Sequence, residues 1–279
     1  MKPVALDILA ILARIAEHMV IPPVQRLLLP PPDTTGKDAE FCALQLADGA
    51  IGLSYVLLGD TLTKLRGSQP EIPLAGTDAL ALAGWFGEED EARRAVGLAA
   101  VNAISQCLFQ RAGYTPDAAT DSIGLLAPTS GDHIGMIGYF APLIDRILAS
   151  GAQLTVAELN PKWLQERDGL RVTTDLAELA TCNKVVSTST VLLNDTLDAV
   201  LAACRSADYF GIIGPTAGWV PDPLFARGVN TVGGMRIVDA EAFCAALTTG
   251  EAWGRYTEKY CLRAETYPGF DALRRRISP

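Results

Sequence analysis

The chain has 279 residues, 49% hydrophobic and 20% charged, a balance that excludes a disordered or low-complexity protein and leaves room for two medium domains with a substantial core. Its formal net charge of −9 excludes the positive field that sequence-independent nucleic-acid binding requires, and Arg274, Arg275 and Arg276 read as a solvated helix end. Six widely spaced cysteines, Cys42, Cys107, Cys182, Cys204, Cys244 and Cys261, include no C-x-x-C pair and read as reduced, buried residues, not as a disulfide framework or a structural zinc site.

From Val4, Ile8, Ile11, Leu12, Ile15 and Met19 recur at helical spacing. Asp7, Arg14 and Glu17 interrupt the run to Ile21, so it predicts an amphipathic helix instead of a signal peptide or membrane span, and the protein is expected to be cytoplasmic. Pro22, Pro23 and Pro30 to Pro32 stop that helix. Phe41 to Ala47 and Ala50 to Leu58 then predict two strands around Asp48-Gly49, a dipeptide suited to a type I′ hairpin turn. Gly59 to Gly76 reads as loop, with room for a third short strand.

Glu88 to Gly113 predicts a long helix, its acidic start facing the positive end of the dipole and Val96, Ala99, Ala100, Ala103, Ile104 and Leu108 forming a narrow apolar stripe. Asn102, Ser105 and Gln106 form a polar strip beside that stripe. These elements compose an α+β domain over residues 1–121, with Tyr114 to Asp121 as the candidate linker.

A second domain, residues 122–279, follows with a different rhythm. Ile134 to Ile137 predicts a strand, Gly138 a turn, and the next residues a helix with Pro142 near its first position and Gly151 at C′. The pattern repeats with strands at Leu154 to Leu159, Leu170 to Thr173, Lys184 to Ser189, Tyr209 to Ile213 and Val229 to Val232, the last expected to end at Gly233-Gly234. Helical segments follow near Asn160-Pro161, Leu176 to Ala180, Leu197 to Cys204, Asp222-Pro223 and Ala240 to Leu247. Alternation of this kind predicts a parallel, Rossmann-like α/β sheet with helices on its faces.

Three strand-end loops carry the chemistry. Gly135-x-x-Gly138-Tyr139-Phe140 is an incomplete dinucleotide fingerprint, but Glu158 lies twenty residues beyond Gly138, near the separation at which an acid accepts hydrogen bonds from a ribose hydroxyl. Together they suggest a nucleoside-containing ligand with Tyr139 or Phe140 as a stacking wall; the structural alternative is glycines for tight packing, aromatics in the core and a solvated Glu158. Ser187, Thr188, Ser189, Thr190 and Asn194 could hold phosphate, carboxylate or amine groups, or serve as turn and cap residues. Gly214, Pro215 and Thr216 form the third loop, and all three should converge on one edge. His18 and His133 share no metal spacing, His133 sits at the far end of its strand, and no Ser-His-Asp or Cys-His grouping is evident, so no protein-only metal site is expected.

The segments V-G-L-A-A-V-N-A (96–103), G-M-I-G-Y-F-A-P-L-I (135–144), S-T-S-T-V-L-L-N-D-T-L (187–197), G-P-T (214–216) and P-L-F-A-R-G-V-N-T-V-G-G-M-R-I-V-D (223–239) resemble, as an ordered set, a family of uncharacterised proteins labelled for heavy-metal chelation. The resemblance implies an enolase N-terminal-like domain, a Rossmann-like domain and an active site in the cleft between them. Carried onto this chain it adds Asn102 to the candidate cleft residues. It implies a role in metal handling by making or binding a small chelator, while the sparse ligand set argues against chelation by the protein's own side chains. Three readings follow: an enzyme or enzyme-like binder of a small molecule or chelator precursor, a non-catalytic carrier or sensor of a metal complex, and a scaffold with a vestigial cleft. No reaction or cofactor is assigned, nucleic acid and membrane partners are not expected, and a homodimer is the base case.

Overall fold

The computed structural model describes residues 3–68, 74–119 and 126–277. The expected domain boundary at 121/122 lies outside them. The chain opens with helix α1 (Pro3–Ala16), followed by a small antiparallel sheet in the order β1 (Val24–Leu28), β2 (Phe41–Leu46), β3 (Ile51–Tyr55). Helices α2 (Thr61–Ser68), α3 (Ala79–Ala83) and α4 (Glu91–Arg111) come next. Every residue of β2 is buried, because both faces of the sheet are covered. Cys42, Leu44 and Leu46 join the core around α4, while Phe41, Ala43, Ile51 and Leu53 pack on the other side with Phe243, Leu247 and Trp253.

The hairpin between β2 and β3 forms, but not through a type I′ turn. Only Gly49 has positive φ (93°), and the Asp48 carboxylate accepts the Ala50 N–H at 3.2 Å, which holds the tip without left-handed geometry at Asp48. The loop read over 59–76 contains α2 in its described part, packed through Leu62 and Leu65; the residues left for a third strand lie partly outside the described ones.

Among the described residues the second sheet has nine strands. β5 (His133–Ile137), β6 (Gln153–Ala157), β8 (Leu170–Thr173), β9 (Lys184–Thr188), β10 (Tyr209–Ile213) and β11 (Thr231–Ile237) are parallel, in the spatial order β8-β6-β5-β9-β10-β11. Antiparallel strands extend both ends: β7 (Gln165–Arg167) beside β8, and β12 (Thr257–Arg263) beside β11, with β4 (Asp117–Ala118) outermost. The segment read as a linker therefore contributes an edge strand, and Tyr114 packs edge-on against Phe109 and Tyr267. Gly233 and Gly234 do not end β11 but lie within it, since a side chain at Gly234 would overlap the Ala217 carbonyl and the Tyr260 hydroxyl.

Helices α5 (Ala141–Ala149), α6 (Leu197–Ala203), α7 (Asp222–Phe225), α8 (Ala240–Thr249) and α9 (Phe270–Ile277) complete the chain. Gly151 takes the positive φ (80°) expected beyond α5. Among the described residues no helix is long and apolar enough to cross a membrane.

Helix α4 is the pivot of the packing, buried at nearly every position from Ala92 to Phe109. Its small residues let other backbones approach: Gly52 of β3 lies so close that an added methyl would overlap the Ala99 carbonyl and the Ala103 nitrogen. At the amino end of β5 a second fixed point forms around Asp132. Its carboxylate accepts the Thr129 N–H at 2.7 Å, Asn183 Nδ2 at 2.8 Å and Lys184 Nζ at 2.9 Å. Burial alone would raise this carboxyl, but the donors from Asn183, Lys184 and Thr129 outweigh it and hold the group well below the usual carboxylate range.

Gly52→Ala should lower stability by about 3 kcal/mol, because rigid backbone cannot yield to the methyl; a urea midpoint equal to wild type would show that α4 and β3 are not in close contact. Asp132 contributes stability above its unfolded pKa near 3.9, lost as pH falls from there towards its depressed folded value. Asp132→Asn should therefore be less stable at pH 7 and show a shallower acid limb in unfolding free energy measured from pH 7 to 2; an unchanged limb would contradict the assignment.

Candidate functional site

β5 and β9 are neighbours, yet the chain leaves β5 towards β6 on one side and β9 towards β10 on the other. The connections beyond their carboxyl ends diverge at this point, the position at which open α/β sheets usually bind ligands. Gly138 turns the chain there with φ 89°, donating its N–H to the Ala157 carbonyl at 3.0 Å. A side chain at Gly138 would press on Thr188 of β9, 3.2 Å from its methyl group, so glycine is what lets the two strand ends meet. Phe140 caps α5 without a side-chain hydrogen bond to its first turn.

Glu158 stands just past the end of β6 and ties two loops together. One carboxylate oxygen accepts the Tyr139 N–H and the other the Asn160 N–H, each at 3.0 Å. A carboxylate has about four acceptor positions, so each oxygen keeps capacity for a ligand hydroxyl. Tyr139 stacks on Trp163, with ring centres 4.4 Å apart and planes inclined by 20°, and its hydroxyl accepts Gln165 Nε2 at 3.1 Å. Tyr55 ends β3, its ring edge-on against Phe41 at 5.7 Å between centroids. Burial raises its pKa first, and the charges of Glu40 and Glu158 raise it further, so it stays a protonated donor at neutral pH.

The loop after β9 is knitted by its own hydroxyls. Thr188 Oγ1 lies 3.0 Å from Thr190 Oγ1, and Asn194 Oδ1 accepts the Thr196 hydroxyl at 2.6 Å. Gly214, with φ 145°, has the Ser189 hydroxyl where a side chain would point. The Gly138, Thr188 to Thr190 and Gly214 segments thus touch in sequence across β5, β9 and β10.

A row of polar side chains on α4 holds these loops from beneath. Arg94 donates to the Leu193 carbonyl at 2.8 Å and the Glu88 carbonyl at 2.7 Å, and pairs with Asp195 at 3.1 Å. Asp195 has φ 60°, an uncommon conformation for a residue with a side chain, and the ion pair helps fix it. Asn102 Nδ2 donates to the carbonyls of Leu53 and Thr216, both at 2.7 Å. Ser105 Oγ accepts the Val220 N–H at 3.1 Å, and Gln106 Nε2 donates to the Gly218 carbonyl at 3.0 Å.

Of the residues read from sequence, Gly138, Tyr139, Phe140, Glu158, Thr188, Thr190, Asn194, Gly214 and Pro215 lie on the carboxyl-edge loops. Asn102, Ser187, Ser189 and Thr216 are buried behind them, and Asn102 is a tie between elements, its amide nitrogen engaged by two carbonyls. Gly135 lies within β5, where its missing side chain admits Leu179 and Cys182. The loop patterns in the sequence leave out Arg94 and Trp163. An aromatic just beyond an Asn-Pro cap, five residues after Glu158, was the available signal for Trp163.

His133 bonds Thr155 and Thr181 at the opposite end of β5, and His18 contacts Arg274. Among the described residues no three His, Cys, Asp or Glu side chains gather as a metal-ligand group. All six thiols are buried. Burial pushes Cys42, Cys107 and Cys182 up to about 12 and Cys204 to about 11, with the Asp48 carboxylate adding to the effect at Cys107, so these thiols stay protonated at neutral pH.

Two family models, both described as "Putative heavy-metal chelation", match the chain: DUF364 over residues 121–265 and DUF4213 over residues 39–105. An uncharacterized protein of Methanocaldococcus jannaschii is 31% identical over 156 residues, covering 54% of this chain and 58% of the relative, so the chain aligns with less than two thirds of that relative's length. A crystal structure of a DUF364-family protein of unknown function from Pyrococcus horikoshii superposes with a TM-score of 0.66 at 21% identity, covering 93% of this chain and 99% of that one. One from Desulfitobacterium hafniense DCB-2 gives 0.66 at 19% identity, covering 92% and 98%. These two likenesses show a shared fold.

Arg94→Ala should cost about 3 kcal/mol in denaturant unfolding, since the Glu88 and Leu193 carbonyls lose a charged donor and Asp195 its ion-pair partner. Arg94→Lys should recover only part of that, lacking the planar fork; full recovery would show that charge alone matters.

Proposed function

This chain belongs to the heavy-metal chelation family defined by those two models, and from that premise we propose that it binds a small organic molecule in the cleft between its two halves as part of metal handling. The ligand is a nucleoside-bearing compound or a chelator precursor. The observation that carries the reading is the meeting of the Gly138 turn with Glu158 and Thr188, and of Ser189 with Gly214, at the switch point of the sheet. The spatial order β8-β6-β5-β9-β10-β11 is third, second, first, fourth, fifth, sixth in chain order, which supports a Rossmann-like domain over residues 122–279. The antiparallel sheet followed by helices supports an enolase N-terminal-like unit over residues 1–121.

In this cleft Glu158 orients ligand hydroxyls, the Thr188 and Thr190 hydroxyls donate to its polar groups, and Gly138 and Gly214 permit close backbone approach. The metal enters as part of the ligand's chemistry, because the protonated thiols and dispersed histidines offer poor donors. A second reading, a carrier of a preformed metal complex, is favoured by the position of both histidines away from the cleft, which leaves it without an imidazole base.

Native mass spectrometry of the purified protein, paired with elemental analysis, tests the proposal. An organic adduct without stoichiometric metal is expected, reduced by roughly tenfold or more in occupancy when Glu158→Ala and Asn194→Ala are combined. An adduct indifferent to both changes would overturn the site. A metal-bearing adduct that survives long incubation unchanged would establish the carrier instead.

A further inference from the structure

The segment after Glu158 exposes more apolar surface than a surface loop needs. Leu159 is 66% exposed, Trp163 46% and Leu164 48%, all within six residues at the carboxyl edge of the sheet. Contiguous exposed apolar patches rimmed by polar groups mark binding surfaces. Trp163 differs from the other tryptophans in this respect: Trp219 and Trp253 are buried, and Trp85 carries the Arg93 guanidinium over its ring.

Trp163 is also held in place. One face of its indole rests on Tyr139, and Tyr139 is fixed at both ends, by Gln165 at its hydroxyl and by Glu158 at its backbone N–H. Asn160, whose side chain caps the turn bearing Trp163, gives its own N–H to the other Glu158 oxygen. The result is a rigid aromatic shelf tied to the carboxylate beside the switch point. A preformed flat surface loses little entropy when a ring settles on it.

We propose that the exposed side of the Trp163 indole is a stacking platform for the base of a purine nucleoside or nucleotide, placed so that the ribose hydroxyls reach the free acceptor positions of Glu158. This deepens, and rests on, the reading of the cleft as an organic-ligand site. The twenty-residue separation of Gly138 and Glu158, the switch point between β5 and β9, and the stacked shelf five residues beyond Glu158 are three separate features that fit one nucleoside.

The test titrates the full-length chain with adenosine and adenosine 5′-monophosphate, followed by tryptophan fluorescence and calorimetry, with ribose 5-phosphate as the ring-free control. Saturable quenching by both purine probes is expected. Trp163→Leu should weaken their binding roughly tenfold or more, and Trp163→Phe should hold it within about threefold, because a phenyl ring keeps a stacking face. Both variants should unfold like wild type, since the changed ring is half exposed. Purine binding that is equally tight in Trp163→Leu would overturn the platform, as would no purine binding at millimolar concentration. If the co-purifying adduct of the wild-type protein still depends on Glu158 in either case, the platform alone falls and the cleft reading stands; if it depends on neither residue, both fall.

Discussion

The structure depends on one constraint: the loops that leave the parallel sheet at its carboxyl edge bring backbone carbonyls into the interior, and these need donors. Helix α4 supplies them. Arg94, Asn102 and Gln106 donate to the carbonyls of Leu193, Thr216 and Gly218, and Ser105 accepts the Val220 N–H. A buried carbonyl left without a partner would cost about 1–3 kcal/mol, so this row fixes loop position as well as stability. Asn102 also reaches the Leu53 carbonyl of β3, so one amide joins the small sheet, α4 and the loop after β10.

The same constraint explains the composition of α4. Side chains that carry the polar row must come close to the loops, and β3 must come close to the helix on another side. Ala99 and Ala103 admit β3, and Gly97 admits the backbone of Trp85 and Phe86, at the cost of an apolar stripe too narrow to look like a strong amphipathic helix. With their floor fixed in this way, the carboxyl-edge loops are joined by short-range clasps: Glu158 across the loops after β5 and β6, Thr188 against Gly138, and Ser189 against Gly214.

Much of this architecture was legible in the sequence, for stated physical reasons. The parallel strands announced themselves as short apolar runs ending in glycine or hydroxyl residues, and Glu158, twenty residues beyond Gly138, does meet that turn by accepting the Tyr139 N–H. The polar strip of α4 was visible as Asn102, Ser105 and Gln106, but its partners lie more than a hundred residues away and leave no local signal. β1 escaped because it is an edge strand with an irregular register between Val24 and Arg26, which destroys the two-residue period. β12 escaped because Glu258, Lys259 and Arg263 interrupt its apolar residues, as an antiparallel strand near the sheet margin permits. Trp163 was missed because it acts through Tyr139, brought close only by the fold.

An experimental structure of the protein as purified from cells, without added ligand, tests the central claim most directly, that one cleft at the switch point holds an organic molecule. Bound density is expected against the Gly138 turn, Glu158 and Thr188. Density confined elsewhere, such as the groove of about 400 Å³ lined by Ile51, Gln106, Tyr114 and Arg236, or a metal ion held by protein side chains alone, would contradict it.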